Sequence, residues 1–167
     1  SCLSFNGSGQ YIDSGANSIL GTKPFTLTVW INTNSVAGYS GAVSIGTSAS
    51  GQSAYIGTVA VAQVGTSNSI GGGFYGANYG SGITTTGQWV HVAMTFAGGS
   101  NGAAIIYVNG QVLVNTTYTP NLGSAVKRIG RIGTDSTYDF NGSIDEARIY
   151  NRALSATEIL NMYNDLK

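Results

Sequence analysis

The run FTLTVWIN (25–32) alternates with period two. Phe25, Leu27, Val29 and Ile31 share one face, and Thr26, Thr28, Trp30 and Asn32 share the other. Alternation of this kind buries one face of an extended strand and does not suit a helix, whose apolar residues recur at three and four. WVHVAMTF (89–96) repeats the pattern, setting Val90, Val92, Met94 and Phe96 against Trp89, His91, Ala93 and Thr95. In AIIYVNGQVLVN, Asn109-Gly110 supplies the two positive-φ residues of a type I′ turn between two β-rich runs, which predicts a hairpin. Shorter candidates are CLSF, QYID, AVSIG, AYIGTVAV, GGGFYG, VKRIGRIG and SIDEARIY. Roughly a dozen short strands divided by Gly, Ser and Asn turns predict an all-β, antiparallel two-sheet sandwich. At 167 residues the chain reads as one domain over 1–167.

Charge is scarce and unevenly placed. Only 8% of residues are charged, against roughly 25% in an ordinary domain, and the formal net charge is zero. No Lys, Arg, Asp or Glu lies between Lys23 and Lys127, while every carboxylate except Asp13 falls at or after Asp135. Seven basic residues make no basic patch, so a nucleic-acid partner is not expected. The apolar residues are interrupted too often for a spanning helix, so membrane insertion is not expected either. The lone Cys2 permits no internal disulfide. SCLSFNGSGQYID has neither the basic start nor the apolar core of a secretory signal, and the chain reads as one part of a multidomain parent.

The C-terminal stretch breaks the β pattern. Ser155-Ala156-Thr157-Glu158 matches the S-x-x-E capping box and starts a short helix near 155–165, with Ile159, Leu160 and Tyr163 on one side. Glu158 is therefore read as a cap and not as a catalytic acid. Asp145 and Glu146 are adjacent in a predicted strand, where neighbouring side chains point to opposite faces and cannot act together as a catalytic pair.

FNGSIDEARIYNRALSATEILNMY closely resembles the closing segment of laminin G-like, concanavalin A-like jelly-roll domains, which end in a Gly-x-Ile-Asp-Glu-x-Arg-Ile-Tyr-Asn-Arg-Ala-Leu-Ser-x-x-Glu-Ile run. The likeness extends in order through LSFNGSGQYID, FTLTVWIN, GQWVHVAMTF, IIYVNGQVL and IGRIG. It implies a jelly roll with one C-terminal helix. It also implies a structural calcium, with Asp145 as the carboxylate and Asn6 with the Gly7 region as its N-terminal partner. The alternative is that Asp145 or Glu146 pairs with Arg148 or Arg152.

The hydrolytic branches of this superfamily use two carboxylates on one sheet, and this chain has no acidic residue between Asp13 and Asp135 to supply them. One His and one Cys offer little to a catalytic metal. The chain is read as a non-catalytic carbohydrate-binding module at the cell surface or outside the cell. Ten Tyr and two Trp provide flat faces with polar tips for stacking on sugars. Tyr39, Tyr75, Tyr79 and Tyr138 stand in Gly-rich or polar predicted loops, and Trp30 on the polar face of its strand is a deeper contact. The uncharged middle favours a neutral polysaccharide or cell-surface glycan. A structural or adhesive domain of a pilus, tail or cell-wall protein is the other reading.

Overall fold

The computed structural model describes residues 1–16, 18–62, 64–124 and 126–166. It contains two stacked sheets and one helix. In chain order the strands are β1 (Leu3–Asn6), β2 (Ile12–Asp13), β3 (Phe25–Thr33), β4 (Ser40–Gly46), β5 (Ser53–Val59), β6 (Val64–Thr66) and β7 (Ser69–Phe74). There follow β8 (Ala77–Ser81), β9 (Val90–Phe96), β10 (Gly102–Val108), β11 (Gln111–Tyr118), β12 (Lys127–Ile129) and β13 (Asn141–Tyr150), then helix α1 (Ala156–Leu166). The six-stranded sheet runs β1-β13-β3-β9-β10-β11 and the seven-stranded sheet runs β2-β12-β4-β5-β7-β8-β6. Among the described residues every strand pair is antiparallel except β6 with β8, a departure from the expected all-antiparallel sandwich.

The period-two faces do what their sequence predicts. Phe25, Leu27, Val29 and Ile31 of β3 and Val90, Val92, Met94 and Phe96 of β9 all enter the core between the sheets. They meet Val43, Ile45, Ile56, Ile70 and Phe74 of the opposite sheet. Phe74 holds the two layers together: it stands edge-on to Phe25 and Phe96, at 6.2 and 5.6 Å between centroids, and stacks on Tyr118 at 4.3 Å. The β10–β11 turn is Asn109-Gly110 with φ of 50° and 77°, as a type I′ turn requires.

Gly71, Gly72, Gly73 and Gly80 are strand residues rather than loop residues. A Cβ on Gly80 would stand 1.9 Å from the Thr66 carbonyl oxygen, so only glycine lets β6 lie this close to β8.

Helix α1 covers the outer face of the six-stranded sheet. Leu154 and Ile159 pack with Ala93 and Tyr107, and Tyr163 stacks on Trp30 with centroids 5.7 Å apart. The capping box forms in both directions: Glu158 N–H donates to Ser155 Oγ at 3.2 Å, and Ser155 N–H donates to Glu158 Oε2 at 2.8 Å. Arg152 completes it with hydrogen bonds to both Glu158 oxygens, 2.7 and 3.1 Å. Ser155→Ala is expected to destabilise the domain by about 0.5–2 kcal/mol, read as a lowered melting temperature. An unchanged melting temperature would mean that packing alone holds the helix. Among the described residues no helix is long and apolar enough to cross a membrane.

Candidate ligand-binding site

The site grows from the outer face of the seven-stranded sheet. Along β5, Ala54 and Ile56 enter the core, so Tyr55 and Val59 point the opposite way. Along β8 the same alternation sends Tyr79 inward and leaves Asn78 outward, where the Tyr55 hydroxyl donates to Asn78 Oδ1 at 2.7 Å. Tyr55 is only 1% exposed and forms the floor.

Three further tyrosines wall this floor. Tyr39 immediately precedes β4, and its hydroxyl donates to the Val61 carbonyl at 3.1 Å while lying 3.4 Å from Asn78 Nδ2. Tyr75 occupies the tight turn between β7 and β8, where Gly76 has φ of 90°. Tyr138 comes from the 130–140 loop. The Tyr39 and Tyr138 rings meet edge-on, 5.8 Å apart at 82°, and Tyr75 meets Tyr138 at 6.0 Å and 62°. With Gly76, Asn78 and Ile132 they enclose a cavity of about 160 Å³.

Side chains from β4, the turn after it and the loop itself hold the Tyr138 loop in place. Ser44 Oγ donates to the Arg131 carbonyl and accepts from Gly133 N–H. Ser48 Oγ accepts from the Thr134 and Asp135 N–H groups at 2.9 and 3.0 Å. Arg131 and Asp139 clamp the ends of the loop, Nε to Oδ1 at 2.5 Å and a second terminal nitrogen to Oδ2 at 3.0 Å. Gly9 N–H donates to the same Asp139 oxygen at 2.6 Å, tying the N-terminal segment to the loop. Such fixation limits the entropy that would be lost on binding.

Tyr75 and Tyr55 stay neutral far above physiological pH. The Tyr75 hydroxyl is pushed up to about 12, first by its hydrogen bond to Tyr138, then by burial and by the nearby Tyr138 and Asp135. Burial, followed by Tyr39 and Tyr138, raises Tyr55 well above the ordinary tyrosine value. The nearest basic groups are committed elsewhere: Arg131 to Asp139, and Arg128 to the Gly133 carbonyl and Asp13.

Tyr39, Tyr75 and Tyr138 therefore converge, whereas Tyr79 and Trp30 do not. Tyr79 is 4% exposed in the core, where burial and then Tyr118 lift its hydroxyl to about 12. Its Gly-rich surroundings read as a loop, but the glycines serve close strand packing and alternation turns the ring inward. Trp30 is 8% exposed and belongs to the other sheet, where it touches His91 and stacks on Tyr163 of α1. The polar face of β3 is outward as expected, but the C-terminal helix covers it. Tyr55, Asn78 and Ile132 were missed. The alternation of SAYIGTV, with Ala54 and Ile56 inward, carried a legible signal for Tyr55 alone.

The acidic stretch does not assemble the expected calcium ligands. Asn6 pairs with Asn141 and Leu3 with Ile144, so Asn6 lies four residues from Asp145 along β13, or about 14 Å at the usual strand rise. Calcium holds its oxygens at about 2.3–2.6 Å, so two ligands of one ion are about 5 Å apart at most. This register does not set Asn6 and Gly7 beside Asp145. Asn6 Oδ1 instead accepts from Ser8 N–H at 2.9 Å, and Gly7 takes φ of 77° against Asn141. Asp145 Oδ1 accepts from Glu146 N–H at 2.9 Å. Glu146 has φ of 52° at a bulge in β13 and pairs with Arg148, the salt-bridge alternative for this stretch.

Three solved structures are similar in fold. Domain 4 of AbnA, a GH43 extracellular arabinanase from Geobacillus stearothermophilus solved with arabinotriose, is 22% identical with a TM-score of 0.69, covering 97% of this chain and 76% of that one. The CBM40 of the Ruminococcus gnavus IT-sialidase, bound to α2,3-sialyllactose, is 15% identical with a TM-score of 0.70, covering 98% and 96%. The SAP-like pentraxin of Limulus polyphemus is 16% identical with a TM-score of 0.66, covering 96% and 80%. A search of curated protein sequences returns no match. At these identities the likeness speaks for the fold alone. The sequence pattern of the concanavalin A-like lectin/glucanases superfamily matches residues 6–160, spanning both sheets, the tyrosine cavity and the capped helix, and the chain belongs to that family.

Proposed function

We propose that this chain is a non-catalytic carbohydrate-binding module for a neutral glycan, with the tyrosine cavity as its site. The observation that carries the reading is the convergence of Tyr39, Tyr75 and Tyr138 over the Tyr55–Asn78 floor. Aromatic faces bind the C–H faces of sugars, and fixed neutral hydroxyl and amide groups bind their hydroxyls. Glycan ligands of the similar arabinanase domain and sialidase module support it. Neutrality is favoured because Arg131 is bonded to Asp139 and Asp135 is the charge that bears on Tyr75, a poor setting for a sialic or uronic acid. Glycosidases need two carboxylates facing the scissile bond, and among the described residues the lining of this cavity includes no Asp or Glu. A place in a larger extracellular or surface protein suits such a module.

Tyr75→Ala and Tyr138→Ala should each weaken binding by about 0.5–1.5 kcal/mol beyond the loss of buried area. Wild-type affinity should hardly change between low and high salt, because only formal charges are strongly screened over a Debye length of about 8–10 Å. Titration against arabinotriose, α2,3-sialyllactose and a panel of neutral glycans checks both. Preference for the sialylated probe with steep salt dependence would overturn neutrality. Failure to bind any glycan would return the chain to a structural or adhesive role.

A further inference from the structure

The tyrosine cavity is one of a pair. Tyr39 and Tyr138 also line a second cavity of about 380 Å³, together with Ser35, Ala37, Thr137 and Asn141 among others. The two tyrosines are common to both linings, and their rings meet edge-on.

The two cavities differ in chemistry. The first is a small aromatic chamber. The second is larger and lined by hydroxyl and amide groups whose bonding leaves capacity for a neutral polyol. Ser35 Oγ accepts from Ala37 N–H at 3.2 Å and keeps its own proton to donate. Thr137 Oγ1 donates its proton to Asp135 Oδ1 at 2.7 Å and keeps lone pairs to accept. Donors and acceptors without net charge are what a run of sugar hydroxyls needs. Asp139, the charged residue in this lining, is neutralised by Arg131.

We propose that the site binds a neutral oligosaccharide rather than a single sugar. One ring sits in the tyrosine cavity, the chain crosses Tyr39 and Tyr138, and the next units enter the polar cavity. This inference rests on the carbohydrate-binding reading and sharpens it to a class of ligand with a minimum length.

The test is calorimetric titration of the whole chain with a panel of neutral mono-, di- and trisaccharides that includes the arabinose series. It compares wild type, Ala37→Trp and Tyr75→Ala. Ala37 is exposed in a loop, so a Trp there fills the second cavity without entering the core, and an unchanged melting temperature verifies folding. Ala37→Phe is a smaller plug should the Trp variant misfold. Affinity should rise by about tenfold or more from monosaccharide to trisaccharide in wild type. Ala37→Trp should bring the trisaccharide down to the monosaccharide level and leave the monosaccharide unaffected, while Tyr75→Ala weakens every ligand. Equal binding of all lengths, still lost in Tyr75→Ala, would overturn the two-part site and leave the carbohydrate reading standing. Binding of no panel member would overturn both.

Discussion

Asp139→Ala should destabilise the domain by about 3–5 kcal/mol, because it strands a buried guanidinium. The side chains of Arg131 and Asp139 are only 9% and 4% exposed and make two parallel hydrogen bonds. Asp139 also accepts from Gly9 N–H, and the Tyr11 ring lies 4.1 Å beneath the Arg131 guanidinium. Removing the carboxylate therefore unties three segments at once. Tyr138, the adjacent residue, should lose its fixed position, so ligand affinity should fall with stability. Arg131→Met combined with Asp139→Leu should regain much of the lost stability, since no unpaired charge remains. Denaturant unfolding of the two variants checks this. If Asp139→Ala and the double variant are equally destabilised, packing rather than the stranded charge is responsible.

Acid should begin to weaken the fold as soon as the pH falls below about 6.5. His91 is 1% exposed beneath α1, against both Trp30 and Tyr163, and neither ring nitrogen has a hydrogen-bond partner. Its pKa is lowered to about 4, first by burial and then by the positive charge of Arg148. In the unfolded chain this imidazole takes up a proton near its ordinary 6.5, while the folded protein refuses one until about pH 4. Stability from neutral His91 is thus full above pH 6.5 and declines as pH falls towards 4, by about 3 kcal/mol in total at about 1.4 kcal/mol per unit. Glu158 acts lower: Arg152 first, then Ser155, pull its pKa to about 2, so its contribution is lost mainly as pH drops from 4.5 to 2. His91→Phe keeps a flat ring against Trp30 and Tyr163 and removes the titration. Its stability should be nearly level between pH 6.5 and 4.5 while wild type declines. Parallel decline in both proteins would assign acid sensitivity to another group.

Whatever depends on neighbours along the chain is already legible in its residues. Alternation in FTLTVWIN and WVHVAMTF set the two faces of β3 and β9, because side chains on a strand must point to opposite sides. Asn109-Gly110 set a hairpin turn, because its backbone angles exclude most residues. Ser155 and Glu158 set the start of α1, because both halves of the capping box lie within one helical turn. These local rules were enough for a two-sheet sandwich with one terminal helix. They also put Tyr39, Tyr75 and Tyr138 on connections, free to meet.

Which outward face remains open depends on packing between distant segments. Trp30 and Tyr55 both occupy outward positions on strands, yet α1 seals the first and loops frame the second as the floor of a cavity. Tyr79 and Asn78 are neighbours in ANYGS, and β8 had to be placed beside β6 and β7 before one became core and the other site. Pairing decided the acidic stretch as well: the register of β1 against β13 keeps Asn6 apart from Asp145, and the bulge at Glu146 turns that carboxylate to Arg148. Each of these outcomes depends on contacts between residues far apart in the chain. Periodicity records on which side of a strand a residue lies, but what stands opposite that side is set by packing.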